Sequence, residues 1–271
     1  FISRGERNIT EQGLKSCSTQ RMPAHTVLFS SRAPIGYIAI AEQEVCTNQG
    51  FKSVVPNDDV DYMFLYYLLK YNKDRIKNMG SGTTFKEISG STMRDIEVVI
   101  PESFEEQQKI ASVLSGLDDK IENNMEINEN LLQQALCLYE ALVDGKSKKG
   151  CIGDYCTLKS GFAFKSKWWQ DSGVPVVKIG SISQDYLNLS DCSYVSEDKI
   201  SSAKDFIVSG GDLLIAMTGA TIGKFAMVPK TTETILVNQR VGKFFLGDNP
   251  VMKIPFVYCT LKQADLISEF I

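Results

Sequence analysis

Few residues in this sequence could perform catalysis, and their spacing does not favour it. The single histidine, His25, follows Pro23 in a predicted turn, so a Ser–His or Cys–His nucleophile has one candidate base. Asp191 and the Glu197-Asp198-Lys199 triplet offer the acids and the lysine of a metal-dependent nuclease, but this combination is common by chance. We therefore predict that the chain is not an enzyme.

Motifs for cofactors and metals are also missing from the sequence. It has neither an Asn-Pro-Pro-Tyr methyltransferase motif nor a G-x-x-x-x-G-K-[S/T] phosphate loop, and Gly80-Ser81-Gly82 lacks the context of such a loop. The seven cysteines are scattered without a C-x-x-C pair, which argues against zinc. We expect no bound cofactor or metal, and reduced thiols in a cytoplasmic protein.

Other residues are suited to binding nucleic acid, because DNA is contacted by basic, amide and aromatic side chains on loops. In the first half of the chain Lys86, beside Thr83 and Thr84, is the best candidate, followed by Arg32 and Lys52. In the second half the candidates are Lys159, Lys165, Lys167, Trp168, Lys178, Lys224 and Arg240. Each could equally be a solvated surface charge, and the loop at residues 80–86 could be a structural turn.

Two Asn–Gln pairs need a separate interpretation. Asn48–Gln49 and Asn238–Gln239 carry amides that could reach adenine edges. They recur, however, at matching places in two halves of the chain, whereas residues that read different base sequences should differ. We therefore predict a structural role for them.

The overall composition is that of an ordinary globular protein. Hydrophobic residues make up 43% of the 271 residues, charged residues make up 23%, and no apolar run is long enough to span a membrane. The formal net charge of −4 argues against a broad cationic surface. It leaves room for local basic clusters that contact DNA.

An internal repeat organises these residues. The stretch from Val27 to Ile40 matches that from Leu214 to Met227, with a shared Ala-x-Ile-Gly core, and further blocks match in the same order before and after it. Each copy predicts a hairpin around its Gly-containing turn and then a short helix such as Tyr62–Tyr71. The fold class is therefore α+β, with two similar mixed α/β domains.

A long helix is predicted between the copies, from Phe104 to Asp144. Ser103 and Glu106 form a capping box, and Gly145 offers a stop. Apolar residues and two asparagines alternate in steps of three and four, as in a coiled-coil seam, at Ile110, Leu114, Leu117, Ile121, Asn124, Asn128, Leu131, Ala135, Leu138 and Leu142. The alternative is an amphipathic helix on an ordinary domain core. A seam needs a partner helix, from a second repeat or another chain, including a homodimer.

The two copies are cut at different points. The first has a tail, residues 79–101, that the second would reach only after Ile271, and the second has a head, Cys151 to Cys192, that the first would need before Phe1. We therefore expect a longer parent protein. Two similar domains joined by a helix of roughly 60 Å suit a ligand with two recognition elements at fixed separation, and duplex DNA is such a ligand.

The sequence resembles the specificity subunits of type I restriction–modification systems. The resemblance rests on Gly80-Ser81-Gly82-Thr83-Thr84-Phe85-Lys86-Glu87-Ile88-Ser89, on Glu105-Glu106-Gln107-Gln108-Lys109-Ile110-Ala111 and on Leu117-Asp118-Asp119-Lys120-Ile121. It extends to Thr47-Asn48-Gln49-Gly50-Phe51-Lys52 and Ser160-Gly161-Phe162-Ala163-Phe164, and so covers essentially the whole chain. One departure is that the family has two conserved antiparallel helices, whereas this sequence has one.

The resemblance implies three regions and a set of partners. Residues 1–102 would be the C-terminal part of a first target recognition domain, 103–145 the conserved spacer helix, and 146–271 the N-terminal part of a second domain. Each domain would bind half of a split site in double-stranded DNA. Two modification methyltransferase subunits and restriction subunits would join the complex, and S-adenosylmethionine, ATP and Mg would act only in them. The competing hypothesis is a coiled-coil scaffold that binds no DNA.

Overall fold

The computed structural model describes residues 1–82, 86–145, 150–183 and 185–263. By its contacts the chain forms two compact units, Phe1–Ile127 (unit 1) and Asn128–Ile271 (unit 2). Each unit combines strands and helices around apolar cores, which confirms the predicted mixed α/β class. In the described part of the chain, no helix combines the length and the apolar character that crossing a membrane requires.

Unit 1 is built on a small antiparallel sheet with the strand order β3-β2-β5. The strands of unit 1 are β1 (Arg21–Met22), β2 (Val27–Ser30), β3 (Ile38–Ile40), β4 (Val45–Cys46) and β5 (Phe51–Val54). The helices that accompany them are α1 (Glu11–Lys15), α2 (Tyr62–Tyr71), α3 (Lys73–Asn78) and α4 (Gly90–Arg94). Val27 and Phe29 of β2 are fully buried and form the core with Leu69 of α2 and Ile76 of α3.

The long helix α5 spans Phe104–Val143, as predicted. The Ser103 hydroxyl accepts a hydrogen bond from the Glu106 amide at 3.3 Å, and Glu105 and Glu106 favour the positive end of the helix dipole. The boundary between the two units falls inside this helix, so its N-terminal part belongs to unit 1 and its C-terminal part to unit 2. The three-part domain division therefore stays a prediction.

Unit 2 contains two larger sheets, with the strand orders β14-β13-β16-β6 and β12-β15-β8-β11-β7. The strands of unit 2 are β6 (Thr157–Ser160), β7 (Trp169–Gln170), β8 (Val174–Val177), β9 (Ile182–Ser183), β10 (Tyr186–Leu187), β11 (Ser193–Val195), β12 (Ile207–Val208), β13 (Leu213–Ala216), β14 (Phe225–Met227), β15 (Ile235–Val237) and β16 (Val241–Phe245). Helix α6 (Pro250–Lys262) follows them. The two sheets share a core that includes Val177 of β8 and Leu214 of β13.

The predicted repeat is confirmed by the backbone pairing of the two hairpins. The order β3-β2-β5 of unit 1 recurs as β14-β13-β16 in unit 2, with the same antiparallel directions. The Gly36 amide donates to the Ser30 carbonyl at 3.0 Å, and the Gly223 amide donates to the Ala216 carbonyl at 2.9 Å. Both glycines have positive φ, 102° and 81°, which a side chain would disfavour.

This pairing corrects the sequence alignment of the first strand by one residue. The sequence match sets Val27 against Leu214, but Val27 pairs with Ile40 while Leu213 pairs with Met227, the partner expected for Leu214. The second hairpin therefore has one more residue in its loop. The inserted residue lies between the first strand and the shared Ala-x-Ile-Gly motif, so an alignment anchored on the motif does not reveal it.

Candidate nucleic-acid interface

In unit 1, three of the predicted basic residues converge on Glu87. Arg32 forms an isolated β-bridge with Glu87, Lys86 precedes it in the chain, and the Lys52 ammonium lies 3.5 Å from its carboxylate. Arg32 and Lys86 are exposed, whereas the Lys52 side chain is only 21% exposed. Arg32 and Lys86 are therefore the better candidates for phosphate contact, because part of the Lys52 charge is already compensated.

The loop that carries Lys86 is seated against the hairpin. Ser81 and Glu87 exchange backbone hydrogen bonds of 3.1 and 2.9 Å, and the Ile88 amide donates to the Ser31 carbonyl at 3.0 Å. Ile88 is fully buried in the core of unit 1. The ends of the loop thus have a structural role, and they hold Lys86 at the same edge as Arg32. Thr83 and Thr84 lie outside the described residues.

In unit 2, Lys224 and Arg240 are exposed near the matching hairpin loop. Arg240 is fixed to the hairpin because its carbonyl accepts from the Met217 amide at 3.0 Å. The Thr221 hydroxyl of this loop donates to the Ile179 carbonyl at 3.1 Å, which ties the loop to the segment that carries Lys178. Lys224 and Arg240 therefore lie at one end of this hairpin, and Lys178 lies in a segment bonded to its loop.

A second basic group in unit 2 is built on aromatic rings. Trp168 is half-buried and stacks on Phe162 with ring planes 9° apart. The ammonium groups of Lys165 and Lys199 lie 5.5 and 5.2 Å from the Trp168 ring centroid, in cation–π range. Lys167 is exposed beside them. The sequence does not show that Lys199 folds onto this tryptophan; its charge is partly compensated by Asp198, as that of Lys52 is by Glu87, so it is a weaker candidate for DNA contact.

Two of the remaining lysines are partly engaged by neighbours. The Lys178 ammonium lies 3.8 Å from the Trp169 ring centroid. Lys159 is on the outer strand β6, away from the hairpin loop, with its ammonium 5.0 Å from the Phe245 ring centroid. Such contacts orient a lysine side chain without neutralising it. The structure therefore groups the candidates of unit 2 into a hairpin set, an aromatic set and the isolated Lys159.

The recurrent asparagines have the structural role that the repeat predicts. The Asn48 carboxamide accepts from the Gly50 amide at 2.8 Å, and the Asn238 carboxamide accepts from the Arg240 amide at 3.2 Å. Both are Asx turns that end immediately before a strand, β5 in unit 1 and β16 in unit 2. The shared asparagine holds the shared backbone, and its side-chain oxygen is already used.

The exposed positions around the two hairpins differ in chemistry although their backbones match. The Ser31 amide of unit 1 and the Met217 amide of unit 2 make equivalent hydrogen bonds, and the next residue is Arg32 in unit 1 but Thr218 in unit 2. In the Asx turn, unit 1 has Gly50 where unit 2 has Arg240. A common scaffold with variable charged positions at one edge is suited to binding two related but different ligands.

Helix α5 is fastened to unit 1 by a buried glutamine that the sequence analysis did not single out. Gln107 is 1% exposed, and its amide nitrogen donates to the carbonyls of Asp59 and Pro101 at 3.2 and 3.0 Å. Its amide oxygen accepts from the Asp61 backbone amide at 3.0 Å, and Asp61 in turn caps α2. The first turn of α5 is therefore locked to the start of α2.

Further along the same face of α5, Asp118 binds two residues of α2. Its carboxylate accepts from the Tyr67 hydroxyl at 3.0 Å and from the Lys70 ammonium at 2.9 Å. The hydrogen bond from Lys70 is the main reason that the pKa of Asp118 lies below its ordinary value. Burial, followed by the bond to Asp118, raises the pKa of Tyr67. The Leu-Asp-Asp-Lys-Ile motif thus contains a residue that fastens the helix to unit 1.

Most residues of the predicted seam of α5 are exposed. Of its members only Leu114 joins a core cluster, and the packed face of the helix in unit 1 is Gln107, Ala111 and Asp118. The other seam residues are exposed: Ile110, Leu117, Ile121, Asn124, Asn128, Leu131, Ala135, Leu138 and Leu142. This exposure contradicts the alternative of an amphipathic helix that lies with its apolar residues on an ordinary domain core. The partner helix stays a prediction.

The structure shows the contacts of some of the residues considered for catalysis. His25 lies in a turn, as predicted, and its ring stacks on Tyr62 at a centroid distance of 4.1 Å. Lys199 forms an ion pair with the adjacent Asp198. Within residues 1–82, 86–145, 150–183 and 185–263, no three His, Cys, Asp or Glu side chains are placed to share a metal ion.

Comparison with known proteins identifies related sequences and folds. The family model for the type I restriction modification DNA specificity domain matches residues 1–133 and 145–270. A type I restriction enzyme specificity subunit of Methanocaldococcus jannaschii is 50% identical over 142 residues, which are 52% of this chain and 33% of that protein. A putative type I specificity subunit of Mycoplasma pneumoniae is 32% identical over 257 residues, 87% of this chain and 63% of that protein.

A solved structure shows the same fold. The S subunit of a type I restriction–modification system from M. genitalium superposes with a TM-score of 0.55 at 21% identity, covering 92% of this chain and 66% of that one. The chain thus spans between one third and two thirds of the length of these three proteins.

Proposed function

Because the chain belongs to the type I restriction modification DNA specificity domain family, we propose that it reads DNA sequence for a type I restriction–modification complex. Units 1 and 2 each bind one half of a split site in double-stranded DNA. The observation that carries the proposal is a repeated hairpin whose backbone is shared and whose basic edge differs, Arg32 and Lys86 in unit 1 against Lys224 and Arg240 in unit 2.

In this function the chain performs no catalysis itself. Methyl transfer from S-adenosylmethionine, and ATP- and Mg-dependent cleavage, belong to two modification subunits and to restriction subunits in the cytoplasm. The exposed seam of α5, from Ile110 to Leu142, is the surface through which a helix of the same complex binds. Family membership favours this function over a coiled-coil scaffold without DNA binding.

The DNA-binding part is tested by the salt dependence of affinity for duplex DNA. Each phosphate contact contributes about 0.9 to the slope of log K against log salt concentration. We expect the double variant Arg32→Ala with Lys86→Ala to make this negative slope less steep, by about 1 to 2. Lys15→Ala is the matched control, since Lys15 is exposed on α1 of the same unit. Equal slopes for the double variant and the control would exclude this edge as the phosphate-binding surface.

The sequence-reading part is tested by mapping adenine methylation after co-expression with the modification subunit. We expect methylation at a split motif, and exchange of the unit 2 hairpin edge should change one half of that motif only. A stable complex that methylates no defined sequence would support the scaffold instead.

A further inference from the structure

The hairpin end of each unit carries one arginine, and the two arginines come from different backbone positions. Unit 1 has Arg32 where unit 2 has Thr218, and unit 2 has Arg240 where unit 1 has Gly50. The two positions are neighbours in space, because the residue before the first one donates its amide to the carbonyl of the second, at 2.8 Å in unit 1 and 3.0 Å in unit 2. The arginine is therefore exchanged between adjacent positions of one shared backbone.

In unit 1 the Arg32 side chain lies over the glycine at the second position. A methyl group on Gly50 would lie 3.5 Å from Nε of Arg32 and 3.8 Å from its Cγ, which is van der Waals contact. Arg32 thus occupies the space into which a side chain on residue 50 would extend. By the matching hydrogen bonds of the two backbones, the Arg240 side chain begins at this place in unit 2.

The Asx turn accepts either residue at the second position. The same methyl group would lie 2.9 Å from Oδ1 of Asn48, which accepts from the Gly50 amide at 2.8 Å. In unit 2, where a side chain is present, the equivalent bond from Arg240 to Asn238 is longer, at 3.2 Å. A small shift of the carboxamide therefore makes the room, and neither Gly50 nor Arg240 has a positive φ.

Neither arginine is compensated by an acidic neighbour. Both are exposed, and among the described residues neither forms an ion pair. Lys52, at the same edge of unit 1, is instead paired with Glu87. The guanidinium at each hairpin end therefore keeps its donors available for an external anion.

We propose that Arg32 and Arg240 are equivalent residues, each of which binds one backbone phosphate of duplex DNA at the same place on its hairpin. The inference rests on the proposed function and names the group of the DNA that this place binds. Phosphates are alike in both halves of a split site, whereas residues that read bases should differ between the units. A guanidinium retained at one place by two backbone routes is a shared feature, and its planar fork matches a phosphate.

Sequence reading is then left to exposed positions that differ in chemistry. Tyr37 in unit 1 and Lys224 in unit 2 are such a pair, since each carbonyl accepts the equivalent hydrogen bond of its hairpin at 2.8 Å. Tyr37 is 67% exposed, and Lys224 is also exposed. The phosphate contact and the reading of bases therefore use separate residues of the same edge.

The salt dependence of affinity for a duplex of mixed sequence tests the exchange on the full-length polypeptide. Arg32→Thr should make the negative slope of log K against log salt concentration less steep by about 0.9, the contribution of one phosphate. Arg32→Thr with Gly50→Arg gives unit 1 the arrangement of unit 2 and should restore the slope. Gly50→Arg alone should leave the slope unchanged, because two guanidinium groups then share one place.

The matched control returns the charge elsewhere. Arg32→Thr with Gln12→Arg, at an exposed position of α1, should keep the reduced slope of Arg32→Thr. A slope steeper by about 0.9 for Gly50→Arg alone would show two independent contacts and would overturn the equivalence. A relocated arginine that fails to restore the slope, while β2 stays protected from hydrogen exchange, would overturn it as well. Absence of salt-dependent binding by the unchanged polypeptide would instead remove the proposed function itself.

Unit 2 provides the reciprocal experiment. Arg240→Gly should reduce the slope by the same amount, and Arg240→Gly with Thr218→Arg should restore it. With the modification subunit present, the restored variants of both units should methylate adenine in the same split motif as the unchanged polypeptide, because a phosphate contact carries no sequence information. A motif altered in one half would assign the guanidinium to a base edge and would refute the phosphate.

Discussion

Gln107 provides the sharpest test of how helix α5 is held by unit 1. It is fully buried and serves three backbone groups at once, the Asp61 amide and the carbonyls of Asp59 and Pro101. Substitution by alanine removes all three hydrogen bonds and leaves a small cavity at the start of the helix.

The loss of unfolding free energy depends on which of the three backbone groups water can reach after the substitution. Asp61 is buried, so its amide bears the cost of an unsatisfied donor, about 1–3 kcal/mol. Asp59 is exposed and Pro101 half-buried, so water can replace their lost bonds and each costs about 0.5 kcal/mol. We therefore expect Gln107→Ala to lower the free energy of unfolding of unit 1 by about 2–4 kcal/mol.

The assay is unfolding in urea, with hydrogen exchange of the core strand β2 as the readout. This strand reports on the unfolding of unit 1 separately from that of unit 2. Gln108→Ala is the matched control because Gln108 is the same residue type one position further, and it is exposed. If the two variants unfold within about 0.5 kcal/mol of each other, the buried glutamine does not fasten the helix.

Three further predictions concern the same helix. Leu117 and Leu131 are 56% and 57% exposed, so Leu117→Asp or Leu131→Asp should abolish association with the modification subunit, measured by light scattering, and leave the circular dichroism spectrum unchanged. Unchanged association would refute the prediction that this seam binds a partner. Asp118→Asn should lower the pKa of Tyr67, measured by NMR of labelled tyrosine: burial, the larger cause of the raised pKa, stays, but the contribution of the carboxylate is gone. The pKa of Asp118 is depressed chiefly by Lys70, so the stabilisation is present above about pH 4 and is lost as the pH falls below it. The stability gap between the variant and the unmodified chain should close on acidification, and a gap that persisted would contradict this account.

Local signals in the sequence were sufficient to predict the long helix and the two hairpins. The helix from Phe104 was defined by its cap and its periodicity, and the hairpins by their glycines, and the structure confirms both. The alignment of β2 with β13 was wrong by one residue because a motif match does not detect a loop insertion on one side of it. Strand register is set by pairing partners, which the sequence alone does not show.

The site was less predictable, because it depends on distant contacts. Lys199 folds onto Trp168 from another segment, and the sequence gives no signal for that approach. Gln107 lay inside a motif used only to identify the family, and its role follows from three backbone groups that come together in the folded chain. A buried polar side chain has no sequence periodicity to reveal it, unlike an apolar helix face.

Helix α5 has two different faces, one packed on unit 1 and one exposed with a heptad pattern. The face that contains Gln107, Ala111 and Asp118 binds α2, whereas the face that contains Leu117 and Leu131 is left exposed. A single amphipathic stripe on a domain core would have placed these leucines inside. Apolar residues that are exposed at coiled-coil spacing are costly for an isolated helix in water, so we expect a partner to cover them. If a partner binds the exposed face, the contacts of Gln107, Ala111 and Asp118 with unit 1 are not disturbed, which is why a leucine substitution should break the complex without unfolding unit 1.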